Sequence, residues 1–389
     1  MITTDQALTH LFGLVAPLPV ETVPLRQAAG RVLAQSVNAR RDQPPFAASA
    51  MDGYALRNAN VVNRHFTVVG EAAAGHAYSG QIGPQQAVRI FTGAPVPNGA
   101  DRVIIQEDVV ADGHSITLND DLDTGLHIRP AGQDFKSGDA FNAPRVLTPS
   151  DIALLAAMNF AQVPVTRKPV VAIIATGDEL VQPGEAPRDD QIIASNSFGL
   201  AALLEANGAD VRLLPIARDT VPSLALAFDL AVGADMIITI GGASVGDHDL
   251  VGEVAQAKGM NRAFYKVAMR PGKPLMAGHM GTAAMIGLPG NPVSAMVCGH
   301  IFVLPVLRKL LGLAAAPAPR RNARLANSLM PNGAREHYMR ARVDADGVYV
   351  FDRQDSALLT VLADANCLAI RPPNDGARLP DDILEIIDL

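Results

Sequence analysis

Hydrophobic spacing changes character along the chain, and each change marks a different kind of element. Near the start, Leu8, Leu11 and Phe12 recur at i, i+3, i+4, and Val32 and Leu33 continue an apolar face. This predicts helical structure over residues 4–36, with turn signals at Pro17 and Pro19. From 38 to 145 the apolar runs are short: Phe66–Val69, Ala87–Ile90, Arg102–Gln106 and Ser115–Leu118. Gly, Pro and Asn separate them, which predicts a small all-β unit. A short helix is expected at Ser150–Asn159, with Thr148 or Ser150 as its N-cap.

Between 168 and 312 strands and helices alternate. Val170–Ala175 reads as a buried strand, and the helix Ser197–Ala206 stops at Asn207–Gly208. Strand Asp210–Ile216, a helix near Pro222–Val232, strand Met236–Ile240 and a helix near Leu250–Lys258 follow. Strands at Ala263–Val267 and Ala283–Gly287 precede a long helix, Pro292–Leu311. The alternation predicts right-handed βαβ units and a mostly parallel sheet. Ala314–Arg321 reads as a linker, and 322–389 as a second β-rich unit. The fold class is multidomain, α/β plus β.

Composition narrows the function. The chain has 389 residues, of which 49% are hydrophobic and 18% charged, so bulk disorder is excluded. Aromatic residues are only 4% and tryptophan is absent, which disfavours a base-stacking platform. The net charge of −7 disfavours a general nucleic-acid surface. Cys298 and Cys367 sit in apolar contexts without metal-ligand spacing, as expected of two buried thiols in a reducing compartment. The N-terminus shows no signal-peptide pattern, and Asp229, Pro305, Arg308 and Lys309 interrupt the most apolar stretches. The expectation is a cytoplasmic protein, with neither membrane nor nucleic acid as partner.

Candidate chemistry gathers where the predicted parallel strands end, the edge at which open α/β sheets bind ligands. Thr176-Gly177-Asp178-Glu179 follows the first strand, and Arg218-Asp219 the second. Gly241-Gly242-Ala243-Ser244-Val245-Gly246-Asp247-His248-Asp249 follows the third. Arg270-Pro271-Gly272-Lys273-Pro274 and Leu288-Pro289-Gly290-Asn291-Pro292 follow the last two. Gly241, Gly242 and Gly246 let amide N–H groups approach an anion. Lys266, Arg270 and Lys273 would neutralise oxyanion charge, and Glu179, Asp219 and Asp249 are hard oxygen ligands suited to Mg²⁺. Together they point to a nucleotide or phosphoanhydride bound with a divalent cation. Each residue alone has a plainer reading: Asp219 and Asp249 as helix caps, Glu179 as a turn acid, Lys266 as a snorkelling edge lysine. GGASVG matches neither a dinucleotide fingerprint nor a P-loop.

Two further strings lie in the β-rich unit, SAMDGYA at 49–55 and TGAPVPNGAD at 92–101. With ATGDEL at 175–180, GGASVGDHD at 241–249, RPGKP at 270–274 and LPGNPVSA at 288–295, they resemble the molybdopterin molybdenumtransferase family, which includes MoeA and the gephyrin E domain. The resemblance covers essentially the whole chain. It implies an elongated segment formed by 1–38 and 137–166, an inserted β-rich domain at 39–136, an α/β molybdopterin-binding domain at 167–314 and a small β-barrel-like domain at 315–389. It implies a homodimer whose cleft is completed by the partner subunit. The implied reaction converts adenylylated molybdopterin and molybdate to molybdenum cofactor and AMP, with Mg²⁺ assisting. A molybdopterin adenylyltransferase and molybdoenzymes are the partners such a role suggests.

Carried over by motif, Asp52, Thr92, Glu179, Asp219, Asp249 and Lys266 match functional positions, with Glu179, Asp219 and Asp249 at the metal. Arg129, Gly241, Gly242, Ser244, Gly246, Arg270, Lys273, Pro289, Gly290, Asn291, Ser294, Arg340 and Ser356 match substrate-binding positions. Arg270 stands where many members carry lysine, which exchanges an ammonium for a guanidinium fork. Two rival readings differ in class. A nucleotide pyrophosphatase resembling competence-damage proteins would lack the SAMDGYA unit and the β tail. A non-catalytic clustering scaffold would not need the acidic residues.

Overall fold

The computed structural model describes residues 1–57, 63–242 and 250–389. The first helix, Thr4–Gly13, opens on a capping box: Thr3 Oγ1 accepts from the Gln6 amide at 3.2 Å, and Gln6 Oε1 accepts from the Thr3 amide at 2.9 Å. Helical structure does not continue to 36 as the spacing predicts. Pro17, Pro19 and Pro24 fix φ and remove donors, and the chain turns to extended structure. Strand Val20–Pro24 pairs antiparallel with Gln162–Thr166, and Val32–Leu33 with Arg145–Val146. Val32 and Leu33 are therefore buried strand residues, not a second helical face. The second helix, Pro149–Ala157, takes Thr148 as its cap, with Asp151 completing the box.

Residues 53–118 hold a six-stranded sheet, with Gly53–Leu56 between Arg102–Ile105 and Gln86–Ile90. His65–Ala72, Ser115–Leu118 and Val109–Asp112 complete it. Alternate residues pack on opposite faces: Tyr54 and Leu56 on one, Ala55, Val88 and Val103 on the other.

The α/β domain is built on another six-stranded sheet. Its order is Asp210–Leu213, Val170–Ala175, Met236–Ile240, Ala283–Leu288, Met276–Met280 and Met260–Tyr265. The first four strands are parallel. Both faces are covered, so Ile173, Ile238 and Ile286 enter one core while Ala172, Ile174 and Ile237 enter the other. Sequence reading omitted Met276–Met280, which runs antiparallel to both neighbours. It also set the next strand too late: Met260–Tyr265 replaces the expected Ala263–Val267. That strand still runs in the sense of the parallel set, so five strand ends face one edge.

Helical structure over Pro292–Leu310 is continuous, with a π-helical turn at Gly299–Val303. It is long and apolar enough to cross a membrane, but 72% of its most apolar window is buried inside the fold, as in a core helix.

The last sheet has the order Met269–Arg270, Glu336–Asp344, Cys367–Arg371, Ile383–Asp388 and Arg321–Arg324. Its first strand belongs to the RPGKP segment, which pairs Met269 with Glu336 and Arg270 with His337 in parallel. The amino terminus joins the same seam. Ile2 bridges Val267, its carbonyl accepts from Ala268 N at 2.8 Å, and Thr4 Oγ1 donates to Glu336 Oε2 at 2.6 Å.

Candidate functional site

At the carboxyl edge of the parallel strands lies a cleft of about 570 Å³. Glu179, Asp219, Gly241, Gly242, Pro289, Gly290 and Asn291 line it, with Ala357 of the last domain on its rim. Four of the expected strand ends supply these residues together with Ala357, while of the Arg270–Pro274 segment Pro274 alone lines the cleft. Gly241 has φ +94°, and a Cβ there would lie 2.6 Å from the Thr176 carbonyl oxygen. Only glycine lets the third strand end pass that close to the first.

The acidic end is an interlocked pair of turns. Asp219 N donates to Asp178 Oδ1 at 3.2 Å. Arg218 Nη1 donates to the carbonyls of Asp178 and Leu180 at 2.8 and 3.2 Å, strapping the turn that carries Glu179. Burial, and then the charges of Asp178 and Glu179, hold the Asp219 carboxyl above its usual range. Asp219 does not cap the following helix; Thr220 does, accepting from Ser223 N. Among the described residues no three His, Cys, Asp or Glu side chains gather as metal ligands. Glu179 and Asp219 nevertheless fit Mg²⁺, which is commonly held by one or two carboxylates with substrate phosphates completing its shell. A cation would also relieve the repulsion felt by Asp219. Ser244, Gly246 and Asp249 lie outside the described residues.

Elsewhere on the cleft wall, Asn196 Nδ2 donates to the Gly290 carbonyl at 2.7 Å, holding the Pro289–Asn291 loop. Asn291 Nδ2 donates to Ser356 Oγ at 3.0 Å, and Val293 N to the Ser356 carbonyl at 3.0 Å. Ser356 is therefore tied to the cleft although it belongs to the last domain. Arg340 has no exposed surface. Its Nη2 donates to the Asp355 carbonyl at 2.8 Å, while its Nε and Nη1 have no partner. Burial pushes its guanidinium down to about 10, against the attraction of Asp355. A buried cation with two unspent donors is costly without an anion.

Arg270 is exposed beside His337, whose imidazole is pushed down to about 3 by burial and then by Arg270, Arg340, Arg371 and Arg335. Ser294 is buried in the helix Pro292–Cys298. Lys266 holds the left-handed φ of +74°, with Nζ 5.0 Å from the Tyr265 ring centroid. Such a backbone is uncommon in a non-glycine residue. Lys266, Arg270 and Lys273 do not line the cleft itself. Cys298 and Cys367 are buried, and burial pushes both thiols up, Cys367 to about 11.

Asp52, Thr92 and Arg129 form a separate group on the β-rich unit. Asp52 Oδ1 accepts from Thr92 N at 2.7 Å and from Thr92 Oγ1 at 2.8 Å. The Ser49 carbonyl accepts from Gly93 N at 2.8 Å, and Ala48–Ser49 pairs with Ile128–Arg129. A hollow of about 630 Å³ opens there, lined by Phe46, Gly93, Arg129, Gln133 and Asp134 among others. None of these residues lines the strand-end cleft of the same chain. Arg218 entered the sequence reading only as part of a strand end, and Asn196 and Asp134 did not enter it. The first two act by strapping loops, a role that only contacts reveal.

Comparison with known proteins then places the chain. The MoeA N-terminal region (domain I and II) matches residues 2–159, a probable molybdopterin binding domain 172–309, and the MoeA C-terminal region (domain IV) 322–387. The chain belongs to the MoeA family. It is 37% identical over 383 residues to the molybdopterin molybdenumtransferase of Nostoc sp., covering 93% of this chain and 88% of that one. The enzyme of the same name from Haemophilus influenzae is 37% identical over 318 residues, covering 80% of this chain and 78% of that one. A crystal structure of the molybdopterin biosynthesis MoeA protein from Pyrococcus horikoshii superposes with a TM-score of 0.86 at 27% identity, over 100% of this chain and 99% of that one. Full-length superposition fixes the architecture of this MoeA protein as multidomain α/β plus β. As a family member it is a transferase.

Proposed function

We propose that this MoeA protein converts adenylylated molybdopterin and molybdate to molybdenum cofactor and AMP. One observation carries the reading. A single cleft is lined by the carboxylates Glu179 and Asp219 and by Asn291, which is tied to Ser356; the residue before it, Asp355, accepts from a buried Arg340 with two unpartnered donors. That combination supports binding of a phosphoanhydride beside a second, separate oxyanion.

On this reading, amides of the Gly241–Gly242 and Pro289–Asn291 turns hold the adenylate phosphate. Glu179, Asp219 and Asp249 would hold Mg²⁺, and Asp178 and Arg218 keep the first two in place. Held there, a divalent cation would supply Lewis-acid polarisation of the phosphoanhydride and would offset charge on the departing AMP. Lys266, Arg270, Lys273, Ser294, Arg340 and Ser356 form the molybdate side, to which the buried Arg340 guanidinium would lend positive charge for a tetrahedral dianion. The dithiolene sulfurs come from the substrate, so no protein nucleophile is needed, in keeping with two buried thiols. Asp52, Thr92 and Arg129 are proposed to reach the cleft of a second copy in a homodimer. Supply of the adenylylated substrate requires an adenylyl transfer upstream, and the metallated product requires an acceptor enzyme. A cytoplasmic location is proposed from the reduced cysteines.

The test is molybdate-dependent release of AMP from adenylylated molybdopterin by the purified enzyme. Release that neither molybdate nor Mg²⁺ accelerates refutes the reading. Sedimentation of the full chain as a monomer at working concentration refutes the shared cleft.

A further inference from the structure

The Asp52–Thr92 pair is held by a residue that no motif singled out. Arg89 lies on Gln86–Ile90, directly opposite Tyr54 on Gly53–Leu56. Its guanidinium carbon is 4.9 Å from the Tyr54 ring centroid and 4.8 Å from that of Phe91. Its Nη1 donates to the Gly53 carbonyl at 3.1 Å, and its Nη2 to Gln106 Oε1 at 2.8 Å. Gln106 N in turn donates to the Asp52 carbonyl at 3.1 Å. Gly53 and Tyr54 follow Asp52, and Phe91 precedes Thr92. One planar cation thus grips the backbone after the carboxylate and the side chain before the hydroxyl.

Two hydrogen bonds and two ring faces over-determine the guanidinium, since cation–π contact and forked donation both require its plane. We propose that Arg89 is a positioning residue that fixes Asp52 against Thr92, so that Asp52 is presented as a rigid acceptor. With Oδ1 spent twice on Thr92, Oδ2 is the oxygen offered outward. The inference rests on the proposed reading only in that Asp52 serves the reaction. The charge of Arg89 adds to the two Thr92 hydrogen bonds, which come first, in holding the Asp52 carboxyl below its usual range.

Two readouts separate the inference from the reading beneath it. The first is the carboxyl ¹³C titration of Asp52, assigned by its loss in Asp52→Asn. Arg89→Met should move the titration to higher pH, and Arg89→Lys, which keeps the charge, should largely restore it. An Asp52 titration unchanged in Arg89→Met overturns the inference whatever the activity. The second is AMP release. Arg89→Met should lower kcat about tenfold, the scale of a small misplacement. The KM for molybdate should stay within about twofold, and the acid limb should move up. Arg89→Lys should recover the acid limb but only part of kcat, because the fork is lost. Wild-type kcat in Arg89→Met with an inactive Asp52→Asn also overturns the inference. Wild-type kcat in Asp52→Asn overturns the role of Asp52 instead. Thermal unfolding of each variant checks that the sheet persists.

Discussion

Replacing Gly272 by alanine puts a methyl group where two sulfurs already stand. Gly272 has φ +108°, and an added Cβ would lie 2.6 Å from Cys298 Sγ and 3.1 Å from Met269 Sδ. The backbone conformation alone costs an L-residue about 1–2 kcal/mol. Overpacking against a fully buried neighbour adds about 1–3 kcal/mol. A combined loss of about 3 kcal/mol lowers Tm by about 6–12 °C for a domain of this size. The two contributions can be separated, because only the second involves Cys298. Cys298→Ala alone should cost about 1 kcal/mol as a small cavity. In the double variant the new methyl takes the space of the removed sulfur, so the backbone strain and the 3.1 Å approach to Met269 Sδ remain. The expected coupling is about 1–3 kcal/mol, read as the departure of the Tm losses from additivity by calorimetry. Strict additivity would refute the packing argument. The same loop carries Arg270 and Lys273, so the molybdate concentration for half-maximal AMP release should rise in Gly272→Ala and recover in the double variant.

Asp219→Asn should slow AMP release at least tenfold while leaving Tm at neutral pH unchanged or higher. Burial, Asp178 and Glu179 raise the Asp219 carboxyl in the folded state, so its contribution to stability is full at acid pH. It is lost as pH rises through that raised value, and the variant should remove this part of the slope in a pH series of Tm. Arg340→Met should hold or raise Tm, because it removes a buried charge with two unspent donors. It should raise the molybdate requirement at least tenfold; an unchanged requirement removes Arg340 from the oxyanion site. Both cysteine thiols should resist a colorimetric thiol reagent at pH 8 in the folded enzyme and react together in guanidinium, since both are buried.

The α/β domain was legible because its strands are apolar on both faces and its helices close on Gly208, Gly233 and Gly259, signals that act locally. Antiparallel Met276–Met280 was missed because MAGHM has neither alternation nor β-branching, and its place is set by the hairpin with Ala283–Leu288. The start of the chain was misread for a related reason. Val32 and Leu33 are spaced like a helix continuation, and only pairing with Arg145–Val146, brought near by an intervening domain, makes them a strand. At the site, Glu179 and Asp219 could be placed from strand ends alone. Ser356 reaches the cleft through contacts with Asn291 and Val293, which no periodicity encodes. Arg89 was invisible for the opposite reason: an arginine inside an ordinary strand pattern reads as a solvated edge residue until its rings and carbonyls are seen.

The bridge between Ile2 and Val267 has a mechanical consequence. Ile2 N donates to the Lys266 carbonyl and Ile2 O accepts from Ala268, so the first residues splint the segment that leads into Arg270. Glu336, held by Thr4, clamps the same segment from the other side. A short peptide edge with one strand of support would flex; this one is gripped between the amino terminus and the last sheet. Whatever pulls on the amino terminus, an added tag or a docked partner, therefore pulls on the cationic loop without touching the cleft.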